Sequence, residues 1–290
     1  MTSNRPKLLS PKYRTNIATW NVRTLYQAGR VHQVAAEMKR LKIEIAGLSE
    51  TRWLGSGKTT LQSGETIIYS GHPEDYPTHV RGVGIIMSKE SSRSLMEWEP
   101  VSERIITARF TSRCQDTTII QAYAPTNDAS EADKELFYEQ LQATMAKRKK
   151  RDITILMGDM NAKVGSANSG NEGVMGKHGV GTMNHNGELF VDFCSVNDMV
   201  IGGTLFPHKE SHKVTWRSPD GSYENQIDYI AISRRWRGTL QDCRIKRSAD
   251  VGSDHHLLMA ACRVRLAACR KKVQKTTKYN VERLKNPDIK

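Results

Sequence analysis

The sequence predicts a layered α/β domain, and three observations carry that expectation. Short apolar runs rich in β-branched residues recur along the chain, three segments space their apolar residues as a helix does, and nothing repeats. An amphipathic helix must bury its stripe, and sheets built from the apolar runs are what it can bury it against. With 290 residues, 38% of them apolar, the chain can bury a sizeable core as one large domain.

In chain order the strand candidates are 16–20, 43–49, 66–70, 83–88, 105–110, 117–123, 153–157, 227–233 and 256–264, each closed by polar residues. The helices fall between them. Val31, Val34, Ala35, Met38 and Leu41 share one face. Leu136, Phe137, Leu141 and Met145 share another, behind a Ser130 cap with Asp133 three residues on. Leu189, Phe193, Val196 and Val200 form the third.

Between Ala162 and Gly187 lie seven glycines, which reads as a long surface loop. It is no Walker loop, because Asn171 stands where the first glycine should and His178 follows Lys177 where Ser or Thr should. From Ala268 the chain loses periodicity and turns basic. The expected organisation is a flexible segment 1–14, a domain over 15–266, and a basic tail or linker over 267–290.

Lys and Arg number 44 against 31 Asp and Glu, a net charge of +13 that favours an anionic partner such as nucleic acid. The five cysteines have no Cys-x-x-Cys spacing, which argues against a disulfide framework and a structural zinc site. His208 and His212 lack the cysteine or acid a zinc site would add. An intracellular, reducing location fits, and no apolar stretch is long enough to suggest a membrane span.

Polar residues gather at the ends of the strand candidates. Asn21 follows the first, Glu50 the second, Tyr123 closes "TTIIQAY", Asp159 and Asn161 follow "ITILMG", Asp228 opens "DYIAIS", and Asp254 with His255 precedes the last. Strand ends are where layered α/β proteins assemble sites from distant residues. Carboxylates that converge repel unless a cation holds them, and a set of hard oxygens suits magnesium or manganese.

"TWNVRTL", "LSETRW", "QAYAPT", "MGDMNAKVG", "NQIDYIAIS" and "GSDHHLL", in that order, resemble the endonuclease/exonuclease/phosphatase superfamily. That group includes deoxyribonuclease I and the apurinic/apyrimidinic endonucleases. The wording is most similar to the endonuclease domain of LINE-type retrotransposons of the RTE and BovB kind and to host-adopted relatives. The resemblance runs from Thr15 to Leu266. It implies a two-sheet β-sandwich flanked by helices.

It also implies roles. Glu50 is the principal metal ligand, helped by Asn21 and Asp254; the cofactor is magnesium, with manganese as a substitute, and no small-molecule cofactor is expected. Asp159 positions or deprotonates the attacking water, and Asn161 orients the phosphate. His255, aligned by Asp228, hydrogen-bonds a phosphate oxygen that Tyr123 also contacts. His256 points to the opposite face, because side chains alternate along a strand. Thr126 stands where the apurinic endonucleases usually carry Asn, with Asn127 one residue later.

Phosphodiester hydrolysis needs an activated water, a stabilised phosphorane and a stabilised leaving alkoxide, and an acid, metal and imidazole supply these. The resulting expectation is a metal-dependent endonuclease that nicks DNA as a monomer, without a membrane, in the nucleus. The competing class is a catalytically silent domain that keeps the fold and binds nucleic acid or protein. Retention of every catalytic residue type favours the enzyme.

"KVTWRSPDGSYENQIDY" reads as a hairpin with Pro219 second and Gly221 fourth in its turn. In the LINE-type enzymes it resembles, a hairpin here enters the minor groove, which assigns DNA contacts to Arg217, Ser218 and Tyr223. Two basic clusters, 147–151 and 234–237, read equally as phosphate contacts and as solvated ends of elements.

Overall fold

In the computed structural model, residues 8–27, 29–112 and 114–265 are described. A seven-stranded sheet runs β14-β15-β1-β2-β5-β4-β3. Its strands are β1 (Thr15–Asn21), β2 (Ile43–Ser49), β3 (Ser56–Thr60), β4 (Thr66–Ser70), β5 (Val83–Met87), β14 (Leu240–Lys246) and β15 (Leu257–Cys262). A six-stranded sheet runs β10-β13-β9-β8-β7-β6. It holds β6 (Leu95–Ser102), β7 (Ile105–Phe110), β8 (Thr117–Tyr123), β9 (Ile153–Asp159), β10 (Met199–Ile201) and β13 (Asp228–Ser233). The hairpin strands β11 (Trp216–Arg217) and β12 (Glu224–Asn225) pair apart from both.

The sheets pack face to face. Ile17, Ile45 and Ile85 of one interleave with Ile119, Ile155 and Ile230 of the other in a single buried cluster. Helix α1 (Arg30–Leu41) covers the outer face of the first sheet through Val34, Ala35 and Met38. Helices α3 (Glu131–Lys147) and α4 (His185–Val196) cover the second through Phe137, Leu141 and Phe190. A four-residue helix, α2 (Lys89–Ser92), follows β5. Central strands are buried on both faces, which is why β9 is apolar or small until it reaches Asp159. The architecture is the two-sheet sandwich with flanking helices.

Several expectations shift in detail. Ser130 caps α3 as anticipated, accepting from the Asp133 amide, but Leu136 is 54% exposed and the buried stripe is Phe137, Leu141 and Met145. On α4 the buried apolar side chains are Phe190, Val191, Phe193 and Cys194; Val196 is 78% exposed, and Val200 belongs to β10. The glycine-rich stretch is no simple surface loop, since Val164, Val174 and Met175 enter the second helix layer's core. Met175 also bridges to Ile201.

The domain boundary moves too. Leu8 and Leu9 are buried in the core between the sheets, the Thr15 hydroxyl donates to the Leu8 carbonyl, and the Val264 amide donates to Ser10. Residues 8–10 are therefore a packed strap ahead of Thr15 in place of a flexible segment, while 12–14 are exposed. Residues 1–7 and the basic tail over 267–290 lie outside the described residues. Among those described, no helix is long and apolar enough to cross a membrane.

Candidate active site

Strand direction assembles the site. In the parallel pair β1–β2, Asn21 lies opposite Ser49, which places Glu50 one residue beyond. In the parallel pair β8–β9, Tyr123 lies opposite Asp159. Antiparallel β13 starts where β9 ends, Asp228 against Asp159, and His255 sits just before β15 starts. All six residues thus meet at one pole of the sandwich. Gly158 permits this closeness, because a Cβ there would collide with the Ala122 carbonyl. Glu50 and Asn161, both in the left-handed region at φ 55° and 47°, turn the chain sharply out of β2 and β9.

Asn21 is the bridge. Its Nδ2 donates to Glu50 Oε1 and to Asp159 Oδ2, both at 2.9 Å. Tyr123 Oη donates to the same Glu50 oxygen at 3.1 Å, and Arg52 pairs with the other at 3.2 Å. The Asn161 amide donates to Asp159 Oδ1, while its side chain donates to the Ala124 carbonyl. Opposite stands the second pair, His255 Nδ1 at 2.9 Å from Asp228 Oδ2, with His255 Nε2 aimed at Asp159 Oδ2 from 3.8 Å.

Burial sets the electrostatics. Asp159 is 2% and Asp228 1% exposed. Burial first, and the Asp228 charge second, hold the Asp159 carboxyl well above the usual carboxylate range. Burial would lower the His255 pKa, but the Asp228 charge and hydrogen bond outweigh it, and Asp159 adds to them, raising it to about 9. The imidazole is therefore charged at neutral pH and carries protons on both nitrogens. Burial also pushes the Tyr123 phenol up, so that it stays a donor.

Asp159, Asp228 and His255 can each bring one ligating atom within 4.8 Å of the others. In this arrangement His255 Nδ1 is engaged by Asp228 and Nε2 faces Asp159, so the ring pairs with both acids. Glu50 and Asp159 bring further carboxylate oxygens together around Asn21, close to the Asp228–His255 pair. That hard-oxygen set fits a magnesium-like cation better than a site requiring imidazole nitrogen.

Asp254 stands apart from this cluster. Its Oδ2 accepts from Trp216 Nε1 at 3.2 Å, and its carbonyl accepts from the Arg217 amide. Trp216 bridges to His255, so the hairpin is fastened to the corner that carries the Asp228–His255 pair. The turn closes as expected, Gly221 N donating to the Ser218 carbonyl. Ser218 Oγ is occupied in holding it, bonding Asp220 and the Tyr223 amide. Tyr223 is 68% exposed, whereas Ser218 is buried, which corrects the expectation of Ser218 as a contact surface.

Glu50, Tyr123, Asp159, Asn161, Asp254 and His255 line a cleft of about 490 Å³ that also takes in Arg23, Arg52, Lys163, Asn184 and Trp216, which sequence reasoning missed. Arg52 could have been found, standing two residues past Glu50 at the same strand end. Asn186 could not. It is buried in the first turn of α4, and its Nδ2 donates to the carbonyls of both Pro125 and Asn161, tying the two strand-end loops together. Asn127 joins this network through Asn184.

A family model described as endonuclease/exonuclease/phosphatase matches residues 18–255. The chain belongs to that family. Endonuclease/exonuclease/phosphatase proteins include metal-dependent phosphodiesterases and nucleases, in keeping with the acid cluster described above. Over 278 residues, 96% of its length, the chain is 37% identical to craniofacial development protein 2 of Bos taurus. The same protein of Tragulus javanicus is also 37% identical over 277 residues. The chain spans 45% and 46% of these relatives.

Solved structures share the fold at low identity. The endonuclease domain of TRAS1, a telomere-specific non-LTR retrotransposon, superposes with a TM-score of 0.61 at 16% identity, covering 88% of this chain and all of that one. The 3'-5' exonuclease NExo from Neisseria meningitidis gives 0.64 at 18%, covering 86% and 100%. The AP endonuclease LMAP from Leishmania major gives 0.64 at 15%, covering 89% and 90%.

Proposed function

We propose that the chain is a divalent-metal-dependent endonuclease that nicks DNA, of the retrotransposon type. One observation carries this reading: the Asn21-bridged carboxylates of Glu50 and Asp159 face the Asp228–His255 pair in one cleft. Glu50, with Asn21 beside it, would hold the cation, which is magnesium or manganese; Asp254, bonded to Trp216, lines the same cleft but stands apart from that pair. Bound there, it supplies positive charge to a phosphate oxygen.

The chain's own residues do the rest. Asp159, whose proton affinity is raised by burial and by Asp228, takes the proton of the attacking water as that oxygen bonds to phosphorus, as a base matched to neutral pH can; the bond from phosphorus to the leaving sugar oxygen breaks, and that oxygen takes a proton from solvent. Asn161, anchored to the Ala124 carbonyl, keeps Asp159 oriented through its amide. His255 donates from Nε2 to a non-bridging phosphate oxygen, and its charge offsets the negative charge that grows there. Asp228 holds Nδ1 and thereby the ring. Tyr123 Oη adds a donor from the Glu50 side.

Arg23, Arg52 and Lys163 line the same cleft and suit a polyphosphate substrate. The +13 charge favours nucleic acid over a small phosphate ester. A nuclear, monomeric protein is the corresponding cellular reading. Incubating an end-labelled duplex with the protein and magnesium tests the reading: internal nicks are expected. Release of inorganic phosphate from an inositol phosphate, with the duplex untouched, would replace the nuclease with a phosphatase.

A further inference from the structure

The pole opposite the catalytic residues is strongly basic, and its charges come from segments far apart in sequence. The far ends of β9 and β13 adjoin, the Thr154 amide donating to Ser233 Oγ. This pairing brings the cluster ending at Arg151 beside Arg235 and Arg237, which follow β13 in the short helical segment Arg234–Thr239. The Arg263 amide donates to the Thr239 carbonyl, and its side chain donates to the Pro11 carbonyl at 2.8 Å. Lys12 and Tyr13 are thereby joined to the same surface.

Arg151, Arg235, Arg237, Arg263 and Arg265 are all exposed. Several acids of this pole are already engaged. Asp198 pairs with Arg234, Asp116 and Asp152 with Arg109, and Glu99 with Lys147. Among the described residues, none of the five exposed arginines has an acidic partner. Unpaired like charges held side by side repel, and an anion that spans them relieves the repulsion.

Two aromatic rings are interleaved with the cations. Tyr13 is 54% exposed with Lys12 Nζ 5.4 Å from its ring centre. Trp236 is half-buried with the Arg235 guanidinium 5.8 Å from its ring centre. Cations alternating with accessible rings suit a strand whose bases are unstacked, because every base offers a π-face. A linear basic peptide signal is read in extended form; these arginines come from separate segments, and two lie in a helical turn. That arrangement disfavours an import receptor.

We infer that this pole is a second nucleic-acid surface, which binds a single strand while the catalytic pole works on its own substrate. Strands of about seven residues put the two surfaces roughly 20 Å apart, so they can be occupied together. The inference deepens the proposed function but does not require it.

The test uses the full chain, a fluorescein-labelled oligothymidylate, which cannot pair with itself, and anisotropy in excess chelator. The variant carries Arg151→Glu, Arg235→Glu and Arg237→Glu, all exposed and outside the cleft. We expect at least a tenfold loss of affinity, since three phosphate contacts become repulsive, and a log–log salt slope shallower by about two units. Magnesium-dependent nicking of a short duplex should be unchanged.

Wild-type affinity and slope in a variant of unchanged melting temperature would overturn the surface, whether or not the protein nicks DNA. Equal displacement of oligothymidylate by an unlabelled duplex would overturn the single-strand assignment. Loss of oligothymidylate binding in the variant, from a protein whose wild type never nicks, would sustain the surface and sink the nuclease reading alone.

Discussion

His255 Nδ1 and Asp228 Oδ2 lie 2.9 Å apart, both buried, although one residue precedes β15 of the first sheet and the other begins β13 of the second. The contact therefore ties the two sheets together at the pole that carries the acid cluster and fixes which ring nitrogen faces the cleft. Asp228→Asn keeps the shape but removes the charge that holds the imidazolium. Nicking is expected to fall about 10²–10⁴-fold, with circular dichroism unchanged. A wild-type rate in that variant would mean that another group stabilises the phosphorane.

The same pair predicts a pH dependence. The folded-state pKa of His255, about 9, is raised above the ordinary value of about 6.5. Its contribution to stability is then fully present below about 6.5 and is lost as pH rises through about 9. Nicking that needs the imidazolium should fall over the same alkaline limb. In Asp228→Asn the limb should move towards neutrality; an unmoved limb in a pH–rate profile would assign it to a different residue.

Asn21 donates to Glu50 and Asp159 at once, so it sets the spacing of the oxygens that face a cation. Asn21→Ala should raise the magnesium concentration for half-maximal nicking about 10–100-fold. A magnesium titration followed by nicking rate and by tryptophan fluorescence checks both arms. Unchanged half-saturation in both would remove Asn21 from the metal assembly.

The N-terminal strap has a measurable energy. Leu9 is fully buried between the sheets, so Leu9→Ala should destabilise the domain by about 2–5 kcal/mol in chemical denaturation. A cost near zero would show that the strap is dispensable.

The hairpin stands over the cleft with Trp216 fastened at His255 and Tyr223 exposed at its tip. Replacing 217–223 with a short Gly-rich turn, and keeping Trp216, should preserve nicking but flatten the distribution of nick positions, because groove shape is then no longer read. An identical nick map by primer extension would leave the hairpin without a role in selection.

What the sequence showed, and what it hid, follows from burial. Strands covered on both faces, such as β9 and β13, announce themselves as apolar runs, and the polar residues closing them proved to share one pole. Strand β3, "SGKTT", is an exposed edge with no apolar signal, and β6, the edge of the other sheet, carries Pro100. In β14 a register shift between Leu240 and Asp242 breaks the alternation that would have revealed it. The phase of α4 was misread because Leu189 and Val196 are apolar without being in the core, lying on the groove between α3 and α4.

In the site, residue types at strand ends were legible, whereas their contacts were not. Asp254 bonds Trp216, and Ser218 is consumed by its own turn. Such contacts depend on loop paths that no periodicity encodes. The adjacency of the basic clusters was hidden for a related reason, since it arises from the β9–β13 pairing.

The central claim is that the acid cluster and the Asp228–His255 pair cut DNA with the help of a bound cation. The most direct measurement is conversion of supercoiled plasmid to nicked circles with magnesium, with excess chelator, and with His255→Ala in magnesium. The account predicts nicked circles in the first case and intact supercoils in the other two. Equal nicking in chelator, or by His255→Ala, would contradict it.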